Sequence, residues 1–94
     1  MKIPTKIKER VALMQVHVRL NGILIDRFGQ ARISVTLPEG GTVADLLKLM
    51  AAGHPDADGA LRASIAVVGG HHVGRSHRLA DQDEIALLMP VSGG

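Results

Sequence analysis

The chain has no cysteine, no tryptophan and no tyrosine, and phenylalanine occurs once, at Phe28. Without cysteine the chain can form neither a disulfide nor a thiolate metal site, and it has no thiol nucleophile. A single aromatic ring leaves no stacking platform for single-stranded nucleic acid. No apolar run approaches the roughly 20 residues of a membrane helix, and no secretory signal is recognisable. We therefore expect a cytoplasmic protein that binds no nucleic acid and no membrane.

The size and charge of the chain favour one small domain with a basic arm. Its 94 residues fit a single domain whose core is built from aliphatic side chains. The formal net charge is only +2, yet four basic residues fall within the first ten positions. Such an arm can grip phosphate, but a solvated extension is the simpler interpretation. The basic residues are Lys2, Lys6, Lys8 and Arg10.

Two segments alternate strictly between apolar and polar residues, which is typical of half-buried strands. They span residues 14–20 and 31–37. Asn21-Gly22 is a turn signal between them. The pattern in residues 23–30 leaves a short helical turn and an irregular segment equally open.

The period then changes to that of an amphipathic helix. Val43, Leu46, Leu47 and Met50 recur at helical spacing. Thr42 suits the N-cap, with Asp45 as its capping-box acid. We expect Gly53 to cap the C-terminus and residues 55–60 to form a polar connection, because Pro55 cannot continue the helix.

The C-terminal third reads as short strands separated by turns. Residues 64–68 and 85–89 are predicted strands, with a brief extended piece at 71–73. The last strand is apolar on both faces, which is typical of a central strand. The order β-β-α-β-β-β predicts an α+β layer with the helix across one face of the sheet. The second face of the last strand is then either covered or offered to a partner.

Two glycine- and histidine-rich patterns are candidate ligand sites. His71, His72 and His77 could supply imidazoles to a metal. Adjacent strand residues point to opposite faces, so we predict a solvated loop and no metal site. Gly69-Gly70 is not a phosphate loop, because neither the lysine nor the helix that should follow is present.

The segments "LPEGGTVADLLKLM" and "LADQDEIALLMPVSGG" resemble the MoaD/ThiS group of ubiquitin-like sulfur carriers. The likeness runs from about residue 14 to residue 94 and is most specific at the C-terminus. It implies a β-grasp fold with a mixed sheet of four to five strands and one main helix. The domain would span residues 14–90, between a basic extension (1–13) and a flexible tail (91–94). The sequence departs from the group's usual pattern at Gly69, Gln82 and Met89.

The resemblance also implies a function, closest to that of the molybdopterin synthase small subunit. An E1-like adenylating enzyme would use ATP to adenylate the Gly94 carboxylate, and a sulfur donor would convert it to a thiocarboxylate. The tail, with Gly93 before the reactive end, would then enter the synthase large subunit in a heterotetramer. The carrier itself would be no enzyme and would hold no permanent cofactor.

Partner contacts are expected on the last strand and beyond it. Ala86, Leu88 and Pro90 would form an apolar docking surface, while Val91 and Ser92 span the gap to the reactive end. Arg75 and Arg78 could pair with acidic groups of the activating enzyme. Two alternatives remain open: a carrier for thiamine or another sulfur metabolite, and a ubiquitin-like modifier that joins its terminus to a lysine.

Overall fold

The structure is a computed structural model, and it describes residues 12–90. Residues 1–11 of the predicted extension and the whole tail, 91–94, lie outside the described residues. The elements are β1 (Leu13–Leu20), α1 (Ile23–Phe28), β2 (Arg32–Pro38), α2 (Val43–Gly53), a 3₁₀ turn (Pro55–Ala57), α3 (Asp58–Ala63), β3 (Ile65–Val68), β4 (His71–Val73) and β5 (Glu84–Leu88).

The five strands form one mixed sheet in the order β2-β1-β5-β3-β4. β5 runs parallel to β1, and the other neighbours are antiparallel. The predicted sheet and the central place of the last strand are confirmed. β5 pairs with β1 on one edge and with β3 on the other, and only one of its two faces, that of Ile85 and Leu87, is fully buried.

One face of the sheet packs against the helices and forms the core. In β1 the side chains of Met14, Val16, Val18 and Leu20 are buried, and their neighbours are more exposed. Val43, Leu46, Leu47 and Met50 of α2 are buried with them in one cluster. The period-two and helical patterns were therefore both interpreted correctly, because each aligns its apolar residues on the side that is shielded from water.

The N-terminus of α2 is held by the predicted capping box. Thr42 Oγ1 accepts a hydrogen bond from the Asp45 N–H (3.2 Å), and Asp45 Oδ2 accepts one from the Thr42 N–H (2.9 Å). At the other end the prediction was off by one residue. Gly53 is the last helical residue and His54 is the cap, its N–H donating to the carbonyls of Met50 and Ala51.

The prediction of a polar connection over residues 55–60 is wrong. The chain forms the 3₁₀ turn and then α3, which bury Ala57 and Leu61 beneath them. Two buried residues four positions apart give too short a pattern to be recognised, yet they close the end of the core. The open question over residues 23–30 is settled as α1, whose Leu24 is fully buried.

The one aromatic ring serves the helical layer. Phe28 stacks on the imidazole of His54 with ring centroids 4.2 Å apart. No helix within residues 12–90 has the length and hydrophobicity to cross a membrane.

Candidate functional site

The face of the sheet turned away from the helices carries an apolar strip. We define the apolar strip as Ala86 and Leu88 of β5 with Ile65 and Val67 of β3. The register pairs Val67 with Ala86 and Ile65 with Leu88, so the four side chains form a continuous patch. All four are half-buried, unlike the fully buried Ile85 and Leu87 that alternate with them.

The strip contains two of the residues predicted to dock a partner. Ala86 and Leu88 lie side by side on this open face, and Pro90 is exposed just beyond the strand end. Ile65 and Val67 were not predicted as docking residues. Alternation of side chains between the two faces of β3 could have identified them. The alternation was not apparent in the sequence, because residues on both faces of this strand are apolar. Val91, Ser92, Gly93 and Gly94 lie outside the described residues.

The end of β5 lies close to the turn after β1. Because β1 and β5 are parallel, they end at the same edge of the sheet. Gly22 lies there with φ +57°, and a Cβ on it would approach Met89 Cγ to 3.3 Å. Glycine is thus needed both for the backbone conformation and for the close contact. The chain therefore leaves the sheet next to the apolar strip, with Met89 close to the turn at Gly22.

Arg75 and Arg78 lie beside the helices and away from the strip. Arg75 Nη2 donates to the carbonyl oxygens of Arg62 (2.9 Å) and Ser64 (3.0 Å), at the C-terminal end of α3. Cations at a helix C-terminus stabilise its unpaired carbonyls. Arg78 is exposed and its backbone bridges Thr42, at the start of α2. The structure does not bring either arginine together with Ala86 and Leu88.

The half of the open face nearer β2 is polar. The ring of His17 lies between Ser34 Oγ (3.2 Å from Nδ1) and Gln82 Oε1 (2.8 Å from Nε2). Gln82 has φ 70°, a left-handed conformation that glycine adopts with less strain than a residue with a side chain. The turn is closed by a hydrogen bond from the Ala80 N–H to Asp83 Oδ2 (2.8 Å).

The ionisable groups of α2 show one clear perturbation. The pKa of Asp45 is lowered, chiefly by the hydrogen bond from the Thr42 N–H, then by the Thr42 side chain and by the charge of Lys48. This shift belongs to the capping box and marks no catalytic group.

The histidines of β4 point in opposite directions. His72 is paired with Val67 and His71 with Val68, which lie on the two different faces of the sheet. Within residues 12–90, no three metal-ligating side chains come together as a group.

This five-stranded sheet, with α2 across one face and a chain end leaving the central strand, is the ubiquitin-like β-grasp architecture. The chain belongs to the ThiS family, whose family model matches residues 18–94. The predicted family and fold are both confirmed. No curated protein matches the chain in sequence.

Solved structures of several proteins are similar to this one. The HVO 2177 protein of Haloferax volcanii has a TM-score of 0.78 at 24% identity, over 87% of this chain and 88% of its own. SAMP1 (small archaeal modifier protein 1) of the same organism has a TM-score of 0.72 at 24% sequence identity, and the match covers 85% of this chain and 99% of SAMP1. A chain from the complex of subunits 1 and 2 of the molybdopterin-converting factor of Helicobacter pylori has a TM-score of 0.59 at 22% sequence identity. The match covers 86% of this chain and 100% of that one. The fold is thus that of MoaD-like sulfur carriers and of ubiquitin-like modifiers.

Proposed function

We propose that this protein is the sulfur carrier subunit of a molybdopterin synthase. An E1-like enzyme activates the Gly94 carboxylate, which attacks the α-phosphorus of ATP and expels pyrophosphate. Sulfide (HS⁻) from a sulfur donor then attacks the acyl carbon and displaces AMP. The product is a thiocarboxylate, which the synthase large subunit uses to build the dithiolene of molybdopterin.

The observation that carries this proposal is the extent of the family match, which runs through residue 94 and includes the Pro-Val-Ser-Gly-Gly segment. A terminal carboxylate can react only inside the active site of another protein. Side chains would obstruct a narrow channel, whereas Gly93 and Gly94 have none. Pro90 restricts the backbone where the chain leaves the sheet, just before this segment.

The apolar strip supports the same proposal from the structured side. A patch that is half-buried in the isolated domain loses its remaining water when a partner covers it. Because β5 connects the strip directly to the tail, docking on the strip fixes where the tail can reach. Docking then raises the effective concentration of the reacting carboxylate at the partner's active site. The Helicobacter pylori neighbour was solved as a complex between two subunits, which agrees with docking of this kind.

The similarity to SAMP1 favours one further candidate function, that of a protein modifier. A modifier would pass the activated Gly94 acyl group to a lysine amine and form an amide. A carrier for thiamine or another sulfur metabolite differs only in the acceptor of the sulfur. These functions share the activation step and differ in the fate of the acyl group.

Intact mass spectrometry separates these functions. The full chain is incubated with its E1-like enzyme, ATP and a sulfur donor, with and without the large subunit and the molybdopterin precursor. A carrier gains one sulfur in place of one oxygen and loses it again when the large subunit and precursor are added. A modifier instead appears in heavier covalent conjugates.

The matched control is a chain that lacks Gly94. Its sheet is unchanged, so it should bind the activating enzyme but acquire no sulfur. Sulfur loading of this shortened chain would contradict the proposal, because the reactive carboxylate would then lie elsewhere.

A further inference from the structure

Two arginines face each other on the open side of the sheet. The register of β1 and β2 places Arg19 directly opposite Arg32, and both side chains are exposed. Like charges directly opposite in an antiparallel pair destabilise the sheet. The fold does not need this pair, since other polar residues would suit an exposed position equally well.

The two arginines differ in how their charge is balanced. Arg32 Nη2 donates to Glu84 Oε2 at 2.8 Å. The ion pairs within residues 12–90 involve Arg27, Arg32 and Arg62, and Arg19 is not among them. Of these two arginines, Arg19 is the one without an ion pair in the part of the chain that the structure describes.

Two acids lie near Arg19, and neither forms an ion pair with it within residues 12–90. Asp83 and Glu84 line the same surface recess as Arg19, a depression of about 520 Å³. Glu84 is held by Arg32, and Asp83 Oδ2 accepts a hydrogen bond from the N–H of Ala80 in its own turn. Glu84 is therefore paired, whereas Asp83 keeps its charge but forms no ion pair with Arg19 within residues 12–90.

The position of Arg19 links this charge to the apolar strip. In the parallel pairing of β1 and β5, Arg19 is the neighbour of Ala86. A charged group at the border of an apolar patch is the usual layout of a protein interface, whose rim is polar. An arginine at such a rim can bind a carboxylate through two parallel hydrogen bonds.

We propose that Arg19, reinforced by Arg32, receives a carboxylate of the activating enzyme when that enzyme covers the apolar strip. The inference rests on the proposed function, because the occupant is the enzyme that activates Gly94. Rim charges act mainly on the rate of association and on its dependence on salt. Removal of the Arg19 charge should therefore slow docking without altering the fold.

The test measures association of the full chain with its E1-like enzyme by stopped flow, at low and at physiological ionic strength. We expect Arg19→Gln to slow association about fivefold at low salt, and Arg19→Glu to slow it further. The salt dependence of Arg19→Gln should be weaker than that of the wild type. Arg19→Lys keeps the charge and should retain most of the rate.

Lys48→Gln is the matched control, because Lys48 is an exposed cation on α2, on the other side of the sheet. It should associate within about twofold of the wild type. Thermal melting checks the fold: Arg19→Gln should melt at or above the wild-type temperature, because the opposed charges are removed.

The outcomes separate the two proposals. If the wild type neither binds the activating enzyme nor supports ATP–pyrophosphate exchange, the proposed function itself is wrong. If the wild type does both and Arg19→Gln associates as fast as Lys48→Gln, only the role of Arg19 is overturned. Faster association of Arg19→Glu would also overturn the role of Arg19. It would indicate that Asp83 and Glu84 bind a basic surface of the partner instead.

Discussion

The two faces of the sheet differ in how deeply their side chains are buried. On the helical side, Ile85 and Leu87 of β5 are fully buried and belong to one aliphatic core. On the open side, the alternating residues Ala86 and Leu88 are half-buried and border charged side chains. The core face is shaped by folding alone, whereas the open face keeps an apolar strip and an opposed arginine pair that folding does not require. We infer that the open face is shaped by a partner.

The largest expected effect separates the faces at two adjacent leucines. Leu87→Ala should lower the free energy of unfolding by about 2–5 kcal/mol, because it leaves a cavity in a closed core. Leu88→Ala should cost about 1 kcal/mol or less, since its site is open to water. Urea unfolding of the two variants measures the difference. Equal losses would mean that the open face is part of the core, and the comparison would fail.

A charge placed on the apolar strip should weaken binding to a partner while leaving the fold intact, whereas changes on the core face mainly lower stability. Leu88→Glu should leave a folded domain but weaken binding to the activating enzyme by at least about 2 kcal/mol, because the partner would bury an unpaired carboxylate. Calorimetric titration measures the affinity, and circular dichroism checks the fold. If the variant binds as well as the wild type, the docking surface lies elsewhere.

The capping box allows a test confined to the helical layer. Thr42→Ala should cost about 1 kcal/mol of stability by removing the N-cap of α2. It should leave association with the activating enzyme unchanged, since the open face is untouched. An equal loss of docking would contradict the separation of the two faces.

The pH dependence of the same box follows from Asp45. Its pKa is lowered below the ordinary value of 3.8 in the folded state, so its contribution is present above that value and is lost as the pH falls through the folded pKa. The stability difference between the wild type and Asp45→Asn should therefore shrink in acid. A difference that stays constant between neutral pH and pH values well below 3.8 would show that the carboxylate is not the stabilising form.

The smallest expected effect on stability is that of substitutions at Gln82, whose backbone is left-handed. Gln82→Ala removes the hydrogen bond to His17 but keeps the unfavourable backbone conformation, so it should cost about 1 kcal/mol. Gln82→Gly loses the same bond but relieves the conformation, and it should be more stable than Gln82→Ala by about 0.5–1 kcal/mol. Thermal melting ranks the pair, and the opposite order would mean that the backbone at this turn is unstrained.

Local signals made most of the elements predictable. The alternation in β1 and β2, the helical spacing in α2 and the Thr42–Asp45 box each depend on residues within a few positions of one another. Residues 55–63 were not predicted as helical, because Ala57 and Leu61 become core residues only when α1 and α2 lie above them. The strand pattern placed Ala86 and Leu88 on the second face of β5, and the family resemblance gave them their predicted docking role, whereas their neighbours Ile65 and Val67 required the register.

The sequence by itself determined most of the elements, the family and the residues of the proposed reactive tail, because periodicity, capping and a terminal motif are properties of neighbouring residues. Only the tertiary structure decided that Arg75 binds the carbonyls at the end of α3, that Arg19 opposes Arg32, and that His17 meets Gln82. Each of these pairs joins residues that are distant along the chain. Such contacts depend on strand order and register, which the burial of the whole core selects and no short segment encodes.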